Sequence, residues 1–182
     1  MKLCNVWAVC VVVLVSLVAV QAAPVAKKGA PVLTLNDAGE QAFKAGEFSL
    51  SLYGTGAINT AARTKEAISV GAGIGGDYFV TRGFGVGVRS ELTGFTHSVV
   101  DRSSGRLIAR APLWDAVAPY GYVEGGFDFE RDRLFAGAGG GIEARLDHII
   151  KTKLAAFGEA GLETTTRGAA TGRIAVGVRH PF

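Results

Sequence analysis

The sequence predicts an all-β fold: an eight-stranded antiparallel up-and-down transmembrane β-barrel. Three observations predict it. From Glu47 onward, apolar residues recur with a period of two, the spacing that puts them on one face of a strand. Eight such runs follow one another, and most reach roughly 10–14 residues. That is longer than a typical soluble strand and about the length a tilted strand needs to cross a bilayer. The faces opposite the aliphatic residues carry charges of both signs. A closed barrel with an apolar exterior would turn those faces into a lumen.

The chain begins with Lys2 ahead of an apolar run, Val6–Val20, interrupted by Ser16 and followed by Val20-Gln21-Ala22 before Ala23. This is the layout of a cleaved export signal, and the run is short for a permanent transmembrane helix. We therefore expect residues 1–22 to be a signal peptide. Cys4 and Cys10, the only two cysteines, lie within it. The exported chain is then free of disulfides, thiolate metal sites and cysteine nucleophiles. Loss of Lys2 lowers the formal net charge from +3 to +2. The remaining charges are scattered along the chain, without the basic, aromatic-interleaved stripe of a nucleic-acid binder, so no nucleic-acid partner is expected.

Residues 23–46, including "PVAKKGAPVLTLNDAGEQAFKAG", read as a periplasmic lead-in: a linker, or a short helix over 36–45 capped by Asn36 or Asp37. The barrel domain is expected over 47–182, with strands near 47–57, 66–77, 83–95, 106–113, 118–129, 133–146, 153–164 and 170–182. In the first, Phe48, Leu50 and Leu52 alternate with Ser49, Ser51 and Tyr53. In the second, "SVGAGIGGDYFV" holds Gly71, Gly73 and Gly76 in the spacing of a dinucleotide-binding turn. That mechanism needs a helix opening on the glycines, and the next strand starts too soon to leave room for one. Gly71 and Gly73 instead fall with Ser69 and Gly75 on one face of a strand whose other face is Ile68, Val70, Ala72 and Ile74. The third strand opposes Phe84, Val86, Val88 and Leu92 to Gly85, Gly87, Arg89 and Glu91. The sixth opposes Leu134, Ala136, Ala138, Ile142 and Ala144 to Gly137, Gly139, Gly141, Glu143 and Arg145. No cofactor is expected, and His97, His148 and His180 are too dispersed for metal-ligand spacing.

With both termini in the periplasm, links near 78–82, 114–117 and 147–152 fall on the periplasmic side. Those near 58–65, 96–105, 130–132 and 165–169 fall outside. Aromatic girdles are expected from Tyr78, Phe79, Trp114, Tyr120 and Phe182 at one rim and from Phe95, Phe127, Phe129 and Phe135 at the other. The lumen is expected to hold a charge network of Arg89, Glu91, Glu124, Glu143, Arg145, Glu159 and Arg173, with Arg110, Glu163 and Arg179 on the same faces. Small glycine positions would make room for these long side chains in so narrow a barrel.

The segments "VGAGIGGDYFVTRGFGVGVRSELTGF", "APYGYVEGGFDF" and "GRIAVGVRHPF" resemble the small eight-stranded OmpA-like or OmpX-like outer-membrane barrels, over about residues 47–182. The resemblance implies location in the bacterial outer membrane, contact with outer-membrane lipids, and delivery by the barrel-assembly machinery. It also implies that Ile174, Val176, Val178, His180 and Phe182 form the C-terminal assembly signal, with His180 where the family usually has an aromatic or apolar residue. The cell-wall anchoring of longer family members is not carried over. A monomer is expected.

The first functional expectation is a non-enzymatic barrel serving membrane integrity or surface interaction, its lumen filled by the Arg/Glu network. A narrow or gated channel is a second reading. A third is a lipid A-modifying enzyme built on His97 and Ser98 near Glu91. Adjacent strand residues point to opposite faces, however, which argues against that pair meeting. A soluble periplasmic binding barrel is the fourth, and it reverses the polarity of every strand.

Overall fold

The computed structural model describes residues 43–59, 68–95, 98–113, 116–150, 152–166 and 170–182. The export signal, most of the lead-in, His97 and Trp114 lie outside the described residues, as do most of the outward links after the first and seventh strands. The strands are β1 (Glu47–Asn59), β2 (Ile68–Phe79), β3 (Phe84–Phe95), β4 (Ser98–Arg110), β5 (Val117–Asp128), β6 (Arg133–Arg145), β7 (Ala155–Thr165) and β8 (Ala170–Pro181). Each pairs antiparallel with the next, and β8 returns to pair with β1, closing the barrel. Closure leaves no row of open backbone groups, which hydrocarbon could not satisfy. Between β6 and β7 lies one short helical turn, α1 (Asp147–Ile150), whose Asp147 Oδ1 accepts a 3.0 Å hydrogen bond from the Leu154 amide.

Alternation decides which side of the wall each residue takes, and the burial is the reverse of a soluble protein. Leu52, Ile74, Val88 and Val176 are 60–66% exposed, while Arg89, Arg106, Arg110, Glu143 and Arg179 are at most 4% exposed. A soluble binding barrel would place these sets the other way round, so that reading fails on polarity.

Most strand boundaries fall within two residues of the expected ones; β4 does not. It begins at Ser98, eight residues before the expected start, so the outward link expected over 96–105 shrinks to positions 96–97. The stretch "SVVDRSSG" sets two valines side by side ahead of polar residues and so shows no apolar alternation. Its strand character comes from the register with β3, where Phe95 pairs with Ser98 and Glu91 with Arg102. Residues 43–46, in turn, form a bend and a turn rather than the end of a helix.

The aromatic rims also need correction. Phe79, Tyr120 and Phe135 are 0%, 6% and 6% exposed and share the inward parity. The rim at the end that holds both barrel termini is made by Phe48, Tyr78, Phe84 and Phe182, all more than 40% exposed. At the opposite end Phe129 is exposed and meets Phe127 edge-on at 5.2 Å.

The inward glycines hold aromatic rings before they hold charges. A Cβ on Gly161 would sit 2.6 Å from the Tyr122 hydroxyl, and one on Gly177 would sit 2.6 Å from Tyr53 Cβ. Only glycine lets rings from a strand one or two away lie this close to the wall. The guanidinium groups then stack on the rings: Arg89 is 4.6 Å from the Tyr53 centroid and Arg106 is 4.6 Å from that of Tyr122.

Candidate functional site: the charged lumen

Period-two geometry sends every second side chain of each strand inward, and the antiparallel register brings inward residues of neighbouring strands side by side. All seven expected network residues point into the lumen, each at most 7% exposed. The structure gathers them into three levels.

At the end where β1 begins, Glu47 takes Arg110 Nη1 at 3.0 Å and Arg145 Nη2 at 2.6 Å, one on each carboxylate oxygen. Arg145 Nε lies 3.3 Å from Glu143, which also receives Arg179. Arg179 reaches Asp77 at 2.8 Å, and Asp77 in turn lies 4.0 Å from Arg106 Nε. At mid-height Glu159 is the hub. It accepts a two-pronged bond from Arg89, a 3.4 Å bond from Arg106 and a 3.0 Å bond from the Tyr120 hydroxyl. Toward the opposite end Arg173 donates to Glu91, to Glu124 at 3.3 Å and to Thr55 Oγ1 at 3.2 Å. Beside it Arg102 holds both oxygens of Glu163, at 2.9 and 3.0 Å, with its guanidinium 4.0 Å from the Phe135 centroid.

Sequence reasoning missed Glu47, Asp77, Arg102, Arg106, Asp128 and Arg133. Parity alone could have found most of them: Glu47 shares the side of Ser49, Asp77 that of the β2 glycines, and Arg106 that of Arg110. Arg102 was hidden by the polar stretch that masks the start of β4. With them, the described lumen holds arginines 89, 102, 106, 110, 133, 145, 173 and 179. Facing them are the carboxylates of Glu47, Asp77, Glu91, Glu124, Asp128, Glu143, Glu159 and Glu163. The two sets are equal in number, so the interior carries no formal net charge. An isolated charge in this setting costs several kcal/mol, roughly, and ion pairs within 4.0 Å join fourteen of these sixteen groups, all but Asp128 and Arg133. An eight-stranded barrel is only wide enough to be filled by side chains, and here rings and ion pairs fill it.

The residues expected to form an assembly signal lie on the opposite side of the wall. Ile174, Val176, Val178 and His180 project outward from β8, and Phe182 stacks on Phe48 at 5.8 Å and meets His180 edge-on at 4.6 Å. The outer wall also bears an apolar groove of about 1460 Å³, lined by Leu50, Ile74, Val88, Phe127 and Leu134 where Gly76, Gly105 and Gly125 leave no side chain between them. Of the enzymatic candidates, His97 and the side chain of Ser98 lie outside the described residues, and Glu91 is committed to Arg173.

A closed antiparallel barrel with an apolar exterior and a charged, paired interior defines a transmembrane β-barrel. No family model matches the chain, and no curated protein matches it. Among solved structures it is similar to a de novo designed transmembrane β-barrel, at 17% identity over 76% of this chain and 98% of that one, with a TM-score of 0.56. It is also similar to Ail, the attachment invasion locus protein of Yersinia pestis (16% identity, 76% and 99% coverage, TM-score 0.48). A third similar structure is the N-terminal β-barrel domain of Pseudomonas aeruginosa OprF (14% identity, 75% and 98% coverage, TM-score 0.46). The similarity to the designed transmembrane barrel is one of fold.

Proposed function

We propose that the chain is a non-enzymatic outer-membrane barrel of a bacterium, serving membrane integrity or surface interaction, with a lumen sealed by its own ion pairs. The observation that carries this reading is the filled, charge-balanced interior inside an apolar wall. Every level of the lumen is crossed by guanidinium–carboxylate pairs, which suits a rigid membrane element better than a passage for solutes. The export signal at 1–22 and the outward aliphatic residues of β8 ending at Phe182 suit delivery through the periplasm to the barrel-assembly machinery.

Expression of the full chain, fractionation, and gel mobility with and without boiling tests the location and the closed barrel together. An outer-membrane band that shifts on heating is the expected result; recovery in the soluble periplasm would overturn the reading. Purified protein in planar bilayers is expected to stay silent, and steady single-channel steps would replace the sealed barrel with a channel.

A further inference from the structure

Residues 43–46, just before β1, do not simply trail from the barrel. Gly46 adopts a left-handed φ of 76°, a conformation glycine accepts without strain, and its amide donates to the Phe79 carbonyl at 2.7 Å. That turn sends the chain back toward the barrel end. Lys44 and Ala45 remain exposed, yet Phe43 is 0% exposed.

The receiving site is built from the lowest level of the lumen. Arg110 lies between two rings, its guanidinium carbon 3.5 Å from the Phe79 centroid and 4.7 Å from that of Phe43. Arg145 lies 4.8 Å from the Phe43 centroid. Both guanidiniums are fixed by the two oxygens of Glu47, the residue that follows the Gly46 turn. The carboxylate thus holds two cations in place, and the cations present a surface suited to an aromatic face. An aliphatic side chain would gain burial there but no quadrupole attraction.

We infer that the periplasmic mouth of the lumen is a binding site for an aromatic side chain, occupied within the chain by Phe43, and that this docking closes the lumen toward the periplasm. Residues 43–46 thereby form a stopper anchored at one ring. Its occupant is fixed by the short reach from Gly46, since Phe43 lies only three residues before the turn.

Thiol labelling of the refolded full chain tests the inference, with Cys4 and Cys10 replaced by Ser so that one reporter thiol remains. Ser49→Cys and Ala155→Cys are two independent reporters, inward residues near the periplasmic end that are 1% and 0% exposed. Each is compared in the Phe43, Phe43→Ala and Phe43→Trp backgrounds, using a bulky charged maleimide and only samples that pass the heat-shift test for a folded barrel. The expected result is slow labelling with Phe43, a rise of roughly tenfold or more with Phe43→Ala, as follows from losing two cation–π contacts, and recovery with Phe43→Trp. Equal rates in all three backgrounds, slow or fast, would overturn the inference. So would Phe43→Trp labelling as fast as Phe43→Ala, because the site would then have no preference for an aromatic ring.

Discussion

Replacing Glu159 by Leu removes the carboxylate on which mid-lumen pairing turns. Arg89 loses both of its bonds, Arg106 keeps only the 4.0 Å approach of Asp77, and the Tyr120 hydroxyl loses its acceptor. Breaking a buried pair by deleting one partner costs about 3–5 kcal/mol, because the surviving charge is left uncompensated. Glu159 serves two such charges, so the expected loss lies at the upper end, about 4–5 kcal/mol. Urea unfolding of the barrel refolded in lipid vesicles measures it, with the heat-shifted band as the count of folded molecules. The double variant Arg89→Leu/Glu159→Leu removes a stranded cation along with the carboxylate and should regain at least half of the loss. A Glu159→Leu cost below about 1 kcal/mol, the range of solvated surface pairs, would refute the sealed and desolvated lumen.

Further substitutions probe the wall and its ends. Gly161→Ala pushes a methyl group against the Tyr122 hydroxyl and should destabilise by about 1–3 kcal/mol in the same urea assay; Tyr122→Leu in that background should relieve part of it. Ile74→Arg puts a charge at mid-strand on the outer wall, where about 2–4 kcal/mol is expected for a lipid-facing site, and the loss should lessen when the same change is made at Ile68 near the strand end. Phe182→Ser removes the stack on Phe48 and should lower the outer-membrane yield in cells more than it lowers the urea midpoint of refolded protein, which separates an assembly role from a packing role.

The barrel was legible because period two is a strong signal wherever one face is aliphatic. Leu50, Leu52, Ile74 and Val88 mark the outside so clearly that their neighbours' inward parity follows, and with it the seven expected lumen charges. The signal failed in the first half of β4, where two valines stand side by side among polar residues, because near the barrel end the outward side no longer needs to be apolar: Asp101 sits on it, exposed. It failed differently for Phe79, Tyr120 and Phe135. Aromatic residues near strand ends suit an interfacial girdle, and only parity counted from a firm register shows that these three line the lumen instead. The docking of Phe43 could not be read from the sequence at all, since it depends on a turn and on two arginines more than sixty positions away.

The junction between β1 and β8 is the last pairing that a meander of this order can form, and the contacts there join distant parts of the chain. Thr55 donates to the Ile174 carbonyl across 119 positions of sequence. Closing such a loop costs about 2 kcal/mol more entropy than closing a hairpin, at about 0.6 kcal/mol per doubling of length. The side chains astride this seam are among the most committed in the molecule: Tyr53 lies over Gly177, Arg173 donates to Thr55, and Phe48 is stacked with Phe182 at the rim. The line where the cylinder is stitched shut is therefore reinforced with a ring, an arginine and an aromatic clasp, so rupture has reason to begin elsewhere on its circumference.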